Sequence, residues 1–145
     1  MSSEVGFQLL PHTADVIVRA VGRTLEEAFA NAALGMFDVM TNLASVAPKE
    51  KRSISVDGFD LENLLYNFLE RLLVIFDQEQ FLVSKIDELA IKPHPGGYSL
   101  SAVVLGETYS PDRHESRVLV KAITYHQMKI YREGDLYIIE YTPDI

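Results

Sequence analysis

Leu25, Ala28, Phe29, Ala32, Ala33, Met36, Phe37 and Met40 fall at i, i+3, i+4, i+7, i+8, i+11, i+12 and i+15. On a helix of 3.6 residues per turn these positions form one continuous apolar face. Thr24-Leu25-Glu26-Glu27 opens the run as a capping box, in which the Thr24 hydroxyl accepts from the Glu27 amide while Glu27 reaches back. A second run follows Asp60, a favourable N-cap: Leu61, Leu64, Leu65, Phe68, Leu69, Leu72 and Phe76. Leu73, Val74 and Ile75 widen this second face, so that helix is expected to be buried between other elements. Met36 and Met40 read as core rather than as a cofactor contact. Two helices with one apolar face each need a sheet to cover.

The rest of the chain reads as that sheet. Phe7 to Leu10 is a short strand, and Asp15 to Val21 a second one ended by Gly22, with Pro11 marking the connection through His12 to Ala14. Ser53 to Asp57 alternates, and Gly58 turns the chain. Leu82 to Ile91 and Tyr98 to Val104 flank Pro93-His94-Pro95-Gly96-Gly97, a turn by composition. Val118 to Tyr131 and Leu136 to Tyr141 read as two strands joined at Arg132-Glu133-Gly134-Asp135. The expectation is an α+β protein: two helices on a mostly antiparallel sheet, with the last strand free to lie beside the first ones. Thr41 to Arg52 and Ser110 to Arg117 read as polar loops, and Lys49, Lys51 and Arg52 as a solvated cluster.

Composition narrows the chemistry. The 145 residues fit one domain and include no cysteine, which excludes disulfides, thiolate catalysis and zinc–thiolate sites. With 13 basic and 21 acidic residues the net charge is -8, a poor match to a phosphate backbone. A protein or metal partner is expected before a nucleic acid, and no membrane span or secretion signal is read, so the expected location is the cytoplasm. No Gly-x-Ser-x-Gly elbow, phosphate-binding glycine loop or His-Glu-x-x-His is present.

The candidate chemistry lies near the two ends of the chain. Asp144 and the carboxylate of Ile145 put two hard oxygen groups on adjacent residues, and Asp15 would supply a third if the fold brings it close. Such groups repel unless a cation sits among them, and Ca²⁺ or Mg²⁺ takes these ligands. His12 could orient a carboxylate or ligate the metal. The alternative is an exposed acidic tail and a loop aspartate, with His12 capping the strand connection. Lys121, Thr124, Tyr125 and His126 lie on the penultimate predicted strand, where Lys121 can simply face solvent.

In order along the chain, several stretches resemble the archease family. They are His12-Thr13-Ala14-Asp15, Gly22 with Thr24-Leu25-Glu26-Glu27-Ala28-Phe29, and Ala32 through Met36-Phe37 and Met40-Thr41. Leu64-Leu65 with Phe68-Leu69-Glu70, Gly106-Glu107, His114, Val120 to His126 and Asp144-Ile145 continue the match. The resemblance implies one domain over residues 1–145, in which a strand-helix-strand-strand core carries an inserted helix and strands. It implies a protein cofactor of an RtcB-type RNA ligase in tRNA splicing and RNA repair, not itself an enzyme. Such a protein promotes guanylylation of the ligase and its multiple turnover, broadens the nucleotides accepted, and is similar to a chaperone.

Carried over residue by residue, Asp15, Asp144 and the carboxylate of Ile145 would bind a divalent cation, calcium foremost, with magnesium or manganese as alternatives. Asp15, Lys121 and Asp144 would act on the ligase, with His12 in support. The chain departs from the family pattern at Pro11, Val21 and Pro143. Two other readings stand beside this one: a small metal-dependent phosphoester hydrolase using the same carboxylates, and a general chaperone for RNA-modifying enzymes.

Overall fold

A computed structural model describes residues 4–12 and 15–145. Seven strands and two helices follow one another as β1 (Gly6–His12), β2 (Asp15–Gly22), α1 (Leu25–Met40), β3 (Glu50–Gly58), α2 (Leu61–Glu79), β4 (Phe81–His94), β5 (Gly97–Thr108), β6 (Lys129–Glu133) and β7 (Leu136–Tyr141). The order and class match the α+β expectation, but the strands divide into two antiparallel sheets. One runs β1-β2-β7-β6 and the other β3-β5-β4. The final hairpin does return beside the N-terminal strands, with β7 paired to β2.

α1 explains why two sheets suffice. It packs on β2, β1 and β7 of the first sheet and on β4 of the second. Its buried arc is therefore wide, taking in Ala28, Phe29, Ala32, Ala33, Met36 and Phe37 together with Val39. Small residues along that arc let both sheets approach. α2 covers β3, β5 and β4 and touches β6. The core runs through both layers, and Phe29, Phe37, Phe68, Phe81 and Tyr141 are its largest fully buried side chains. The Tyr141 phenol donates to the Ala32 carbonyl at 2.7 Å, tying β7 to α1. Burial pushes that phenol's pKa well above its ordinary range.

Both helices start in the same way. Thr24 Oγ1 accepts from Glu27 N at 3.0 Å, and Glu27 Oε1 accepts from Arg23 N at 2.7 Å. Asp60 Oδ1 accepts from Asn63 N at 2.7 Å, and Asn63 Oδ1 accepts from Phe59 N at 3.1 Å. The reaching-back side chain thus satisfies the residue before the cap rather than the cap itself. Ahead of each cap a strand ends in glycine. A Cβ on Gly22 would meet the Ala28 backbone, and one on Gly58 the Leu64 backbone, so each strand can press its end against the first turn of the helix it feeds.

One strand expectation fails. Val118 to Tyr131 is not continuous: only Lys129–Glu133 is strand, and 118–128 is mostly irregular. Gln127 adopts a left-handed backbone (φ 56°), and Met128 N donates to Tyr125 O at 3.0 Å, closing a turn where alternation predicts extended chain. The turn at 93–97 also contracts, since Pro93, His94 and Gly97 belong to strands and only Pro95-Gly96 lie between. Lys51 and Arg52 lie on β3 rather than in a loop. Arg52 pairs with Glu79 at 2.9 Å and sits 4.5 Å over the Phe81 ring.

Candidate functional site

β2 and β7 pair antiparallel from Gly22↔Tyr137 to Val18↔Tyr141. Continued by three residues, about 10 Å of strand, that register would set Asp15 against Asp144. On its other side Asp144 is held by backbone alone. Lys121 N donates to Asp144 O at 2.7 Å, and Asp144 N donates to Ala122 O at 2.9 Å. This isolated bridge, Ala122↔Asp144, takes the place beside β7 that β6 has left. Thr124 Oγ1 adds a bond to the Thr142 carbonyl at 3.1 Å. Pro143 donates nothing, and the bridge is made around it through Asp144.

The structure therefore puts Lys121 beside Asp144, with both residues exposed, and starts β2 with an exposed Asp15. Lys121 is not on a strand, which corrects the sequence reading. It precedes the turn at 125–128, and its segment is pinned by Val120 and Ile123, both buried. The Ile145 side chain is half-buried and packs against the core, which anchors the residue after Asp144. His12 closes β1 opposite Asp15; its side chain, like Thr13 and Ala14 of the predicted connection, lies outside the described residues.

Among the described residues the tip offers the carboxylate oxygens of Asp15 and Asp144, which suit a hard cation. Among the described residues no three His, Cys, Asp or Glu side chains converge. The sequence reading names the carboxylate of Ile145 as the third oxygen.

A second cluster, missed as a site by the sequence reading, is buried. Glu107 and His114 are each 4% exposed. Glu107 Oε2 accepts from Ala47 N at 2.8 Å, from an Arg113 guanidinium nitrogen at 2.9 Å and from His114 Nε2 at 2.8 Å. His114 Nδ1 accepts from Ser110 N at 2.8 Å, so the Nε2 nitrogen carries the proton. Burial pulls the Glu107 pKa up. The Ala47 amide, His114 and Arg113 outweigh it and hold the carboxyl at about 2. With every bond used inward, this is a clamp joining the loops before β3 and after β5. Both residues stand in the stretches that resemble the archease family, but no periodicity marks them as a pair.

Seven antiparallel strands in two sheets with two helices, and a polar tip at one end of the first sheet, define an α+β domain of a known kind. Residues 7–145 match the Archease protein family (MTH1598/TM1083). The chain belongs to that family. It is 47% identical over 143 residues to the protein archease of Sulfurisphaera tokodaii, covering 96% of this chain and 98% of that one. It is 48% identical over 135 residues to the protein archease of Pyrococcus abyssi, covering 92% and 94%. The solution structure of Methanobacterium thermoautotrophicum protein 1598 superposes with a TM-score of 0.84 at 38% identity, covering 97% of this chain and 99% of that one. A crystal structure from Thermotoga maritima, described as an archease and possible chaperone, shares the fold at a TM-score of 0.61 and 17% identity, covering 100% and 98%.

Proposed function

We infer that this chain is a non-catalytic activator of an RtcB-type RNA ligase, promoting ligase guanylylation and multiple turnover in tRNA splicing and RNA repair. The observation that carries the reading is the backbone bridge between Asp144 and the Lys121–Ala122 segment, at the sheet end where β2 begins with Asp15. Exposed carboxylates and an ammonium at one end of a rigid sheet suit entry into another protein's active site. Asp15, Asp144 and the carboxylate of Ile145 would hold a divalent cation, calcium foremost, with magnesium or manganese able to replace it. That ion, when bound, supplies positive charge among the carboxylates. Lys121 offers a donor to a phosphate oxygen, and the backbone bridge to Asp144 fixes the segment that carries it. A net charge of -8 supports leaving RNA binding to the ligase, in the cytoplasm.

A chaperone reading has one observation in its favour besides the wording attached to the Thermotoga maritima structure. Val118 and Leu119 are 44% and 56% exposed beside a groove of about 290 Å³ that Met40, Phe76 and Leu82 also line.

The test is guanylylation and multiple-turnover joining by the partner ligase, with the native chain, with Asp15→Asn, and with one residue added after Ile145. Acceleration by the native chain, lost in both variants at unchanged melting temperature, is the expected result. No acceleration by the native chain would remove the ligase reading. Phosphoester hydrolysis by the isolated chain, abolished by EDTA, would put a hydrolase in its place.

A further inference from the structure

The first turn of α2 and the turn at 125–128 together build an aromatic surface that the tip does not use. The Tyr66 and Tyr125 rings stack, centroids 4.6 Å apart and planes 11° from parallel. Asn63 fixes the arrangement: its amide donates to Tyr125 Oη at 2.8 Å, while its carbonyl holds Phe59 N. Because Tyr125 Oη accepts there, its own proton stays free for a partner. Phe59 is 71% exposed and Tyr125 48%, so apolar ring surface is left in water. Carboxylates rim the rings. Glu62 and Glu70 stand one turn to either side of Tyr66 on the same helix face, and Asp60 caps that helix. Among the described residues none of the three is in an ion pair; burial, and next the nearby Glu70 carboxylate, raise the Tyr66 phenol's pKa.

We propose that this surface docks an arginine-bearing segment of a partner protein. A guanidinium lies flat on an aromatic face while its edge donates to carboxylates, and stacked rings rimmed by carboxylates outside any ion pair meet both demands. A lysine would keep the ion pairs and forgo most of the stacking. A nucleobase would stack as well, but its phosphates would meet the same carboxylates on a chain already at -8. The surface shares a segment with the tip, since Tyr125 stands three residues after Ala122, the bridge partner of Asp144. A partner engaged by the tip would lie across it. That this partner is the ligase rests on the preceding reading; the chemistry of the surface does not.

The test titrates nona-arginine, nona-lysine and a uridine decamer into the native chain and follows its tyrosine ring signals by NMR. The same titrations on Tyr125→Ala and on Glu62→Lys/Glu70→Lys complete the set; the latter changes only helix-surface positions and keeps the fold. The expected result is nona-arginine bound about tenfold tighter than nona-lysine, with the Tyr66 and Tyr125 rings shifted, and that preference lost in the charge-reversed chain. Equal affinity for the two peptides, or ring shifts produced by the uridine decamer instead, would overturn the proposal. A native chain that prefers arginine here yet fails to activate the ligase would sink the ligase reading and leave this surface standing.

Discussion

Glu107 accepts the Nε2 proton of His114 across 2.8 Å, with both side chains out of water. Among the described residues Glu107 is also the only side-chain carboxylate whose pKa falls to about 2, against an ordinary value of 4.5. Its contribution to stability is therefore complete above pH 4.5 and is lost as the pH falls through about 2. A shift of that size corresponds to ~3 kcal/mol. Urea midpoints measured at pH 6 and pH 2 should fall steeply for the native chain. Glu107→Gln should start about 3 kcal/mol lower at pH 6, because its neutral amide gives up the charge that holds the Arg113 and His114 donors, and should lose much less over the same range. Parallel pH profiles for the two chains would show that the cluster does not bear on stability.

Tyr141 and Ala32 make a contrasting pair. The phenol donates to a carbonyl in the middle of α1, and that carbonyl keeps its helical amide partner if the hydroxyl is removed. Tyr141→Phe thus leaves no orphaned group and should cost only about 1 kcal/mol by chemical denaturation. Tyr141→Ala, which opens a cavity in the fully buried core, should cost about 3–5 kcal/mol.

The strand-end glycines predict a matched result. Gly22→Ala and Gly58→Ala each drive a methyl into helix backbone that cannot rotate away. Each should destabilise by about 1–3 kcal/mol. Gly134→Ala puts its methyl in open space at φ 63° and should cost ~1 kcal/mol through backbone strain alone. Thermal melts of the three variants would rank them, and a Gly134→Ala loss as large as the other two would contradict the packing argument.

These glycines also show how far the sequence could be read. Both helices were legible to within a few residues, because periodicity and capping chemistry act within one segment: Thr24 and Asp60 mark their starts without tertiary help. The sheet was less legible. Alternation in Val118 to Tyr131 predicts a strand, but Gln127 enters a left-handed conformation that no local composition signals, and the chain turns there. Splitting seven strands between two sheets depends on α1 packing against both, which a single helical face does not announce. At the site, the family resemblance grouped Lys121 with Asp15 and Asp144, and the fold joins the Lys121 and Asp144 backbones. Their joining bonds are main-chain, so residue type carries no trace of them. Glu107 and His114 entered only as points of family resemblance, not as a site, because burial, not spacing, makes them a unit.

That main-chain bridge makes the tip testable apart from any ligase. Asp144 is held by Lys121 N and Ala122 O, so Asp144→Asn alters an exposed side chain and leaves the bridge in place. In EDTA it should match the native melting temperature, within the roughly 0.5 kcal/mol expected for a surface change. Asp15→Asn should behave alike, since Asp15 is exposed at the start of β2. Calcium should then separate the chains. A ligand at about a hundred times its dissociation constant stabilises the folded state by ~2.7 kcal/mol, so the native chain should melt measurably higher in calcium than in EDTA. Both variants should lose most of that rise, because one charged oxygen ligand is gone. Lys121→Ala should keep it, since it removes none of the oxygen ligands. An equal calcium response in the native chain and in both aspartate variants would place the cation elsewhere. No response in any of them, with magnesium and manganese tried in turn, would leave the tip as a charged docking surface without a metal.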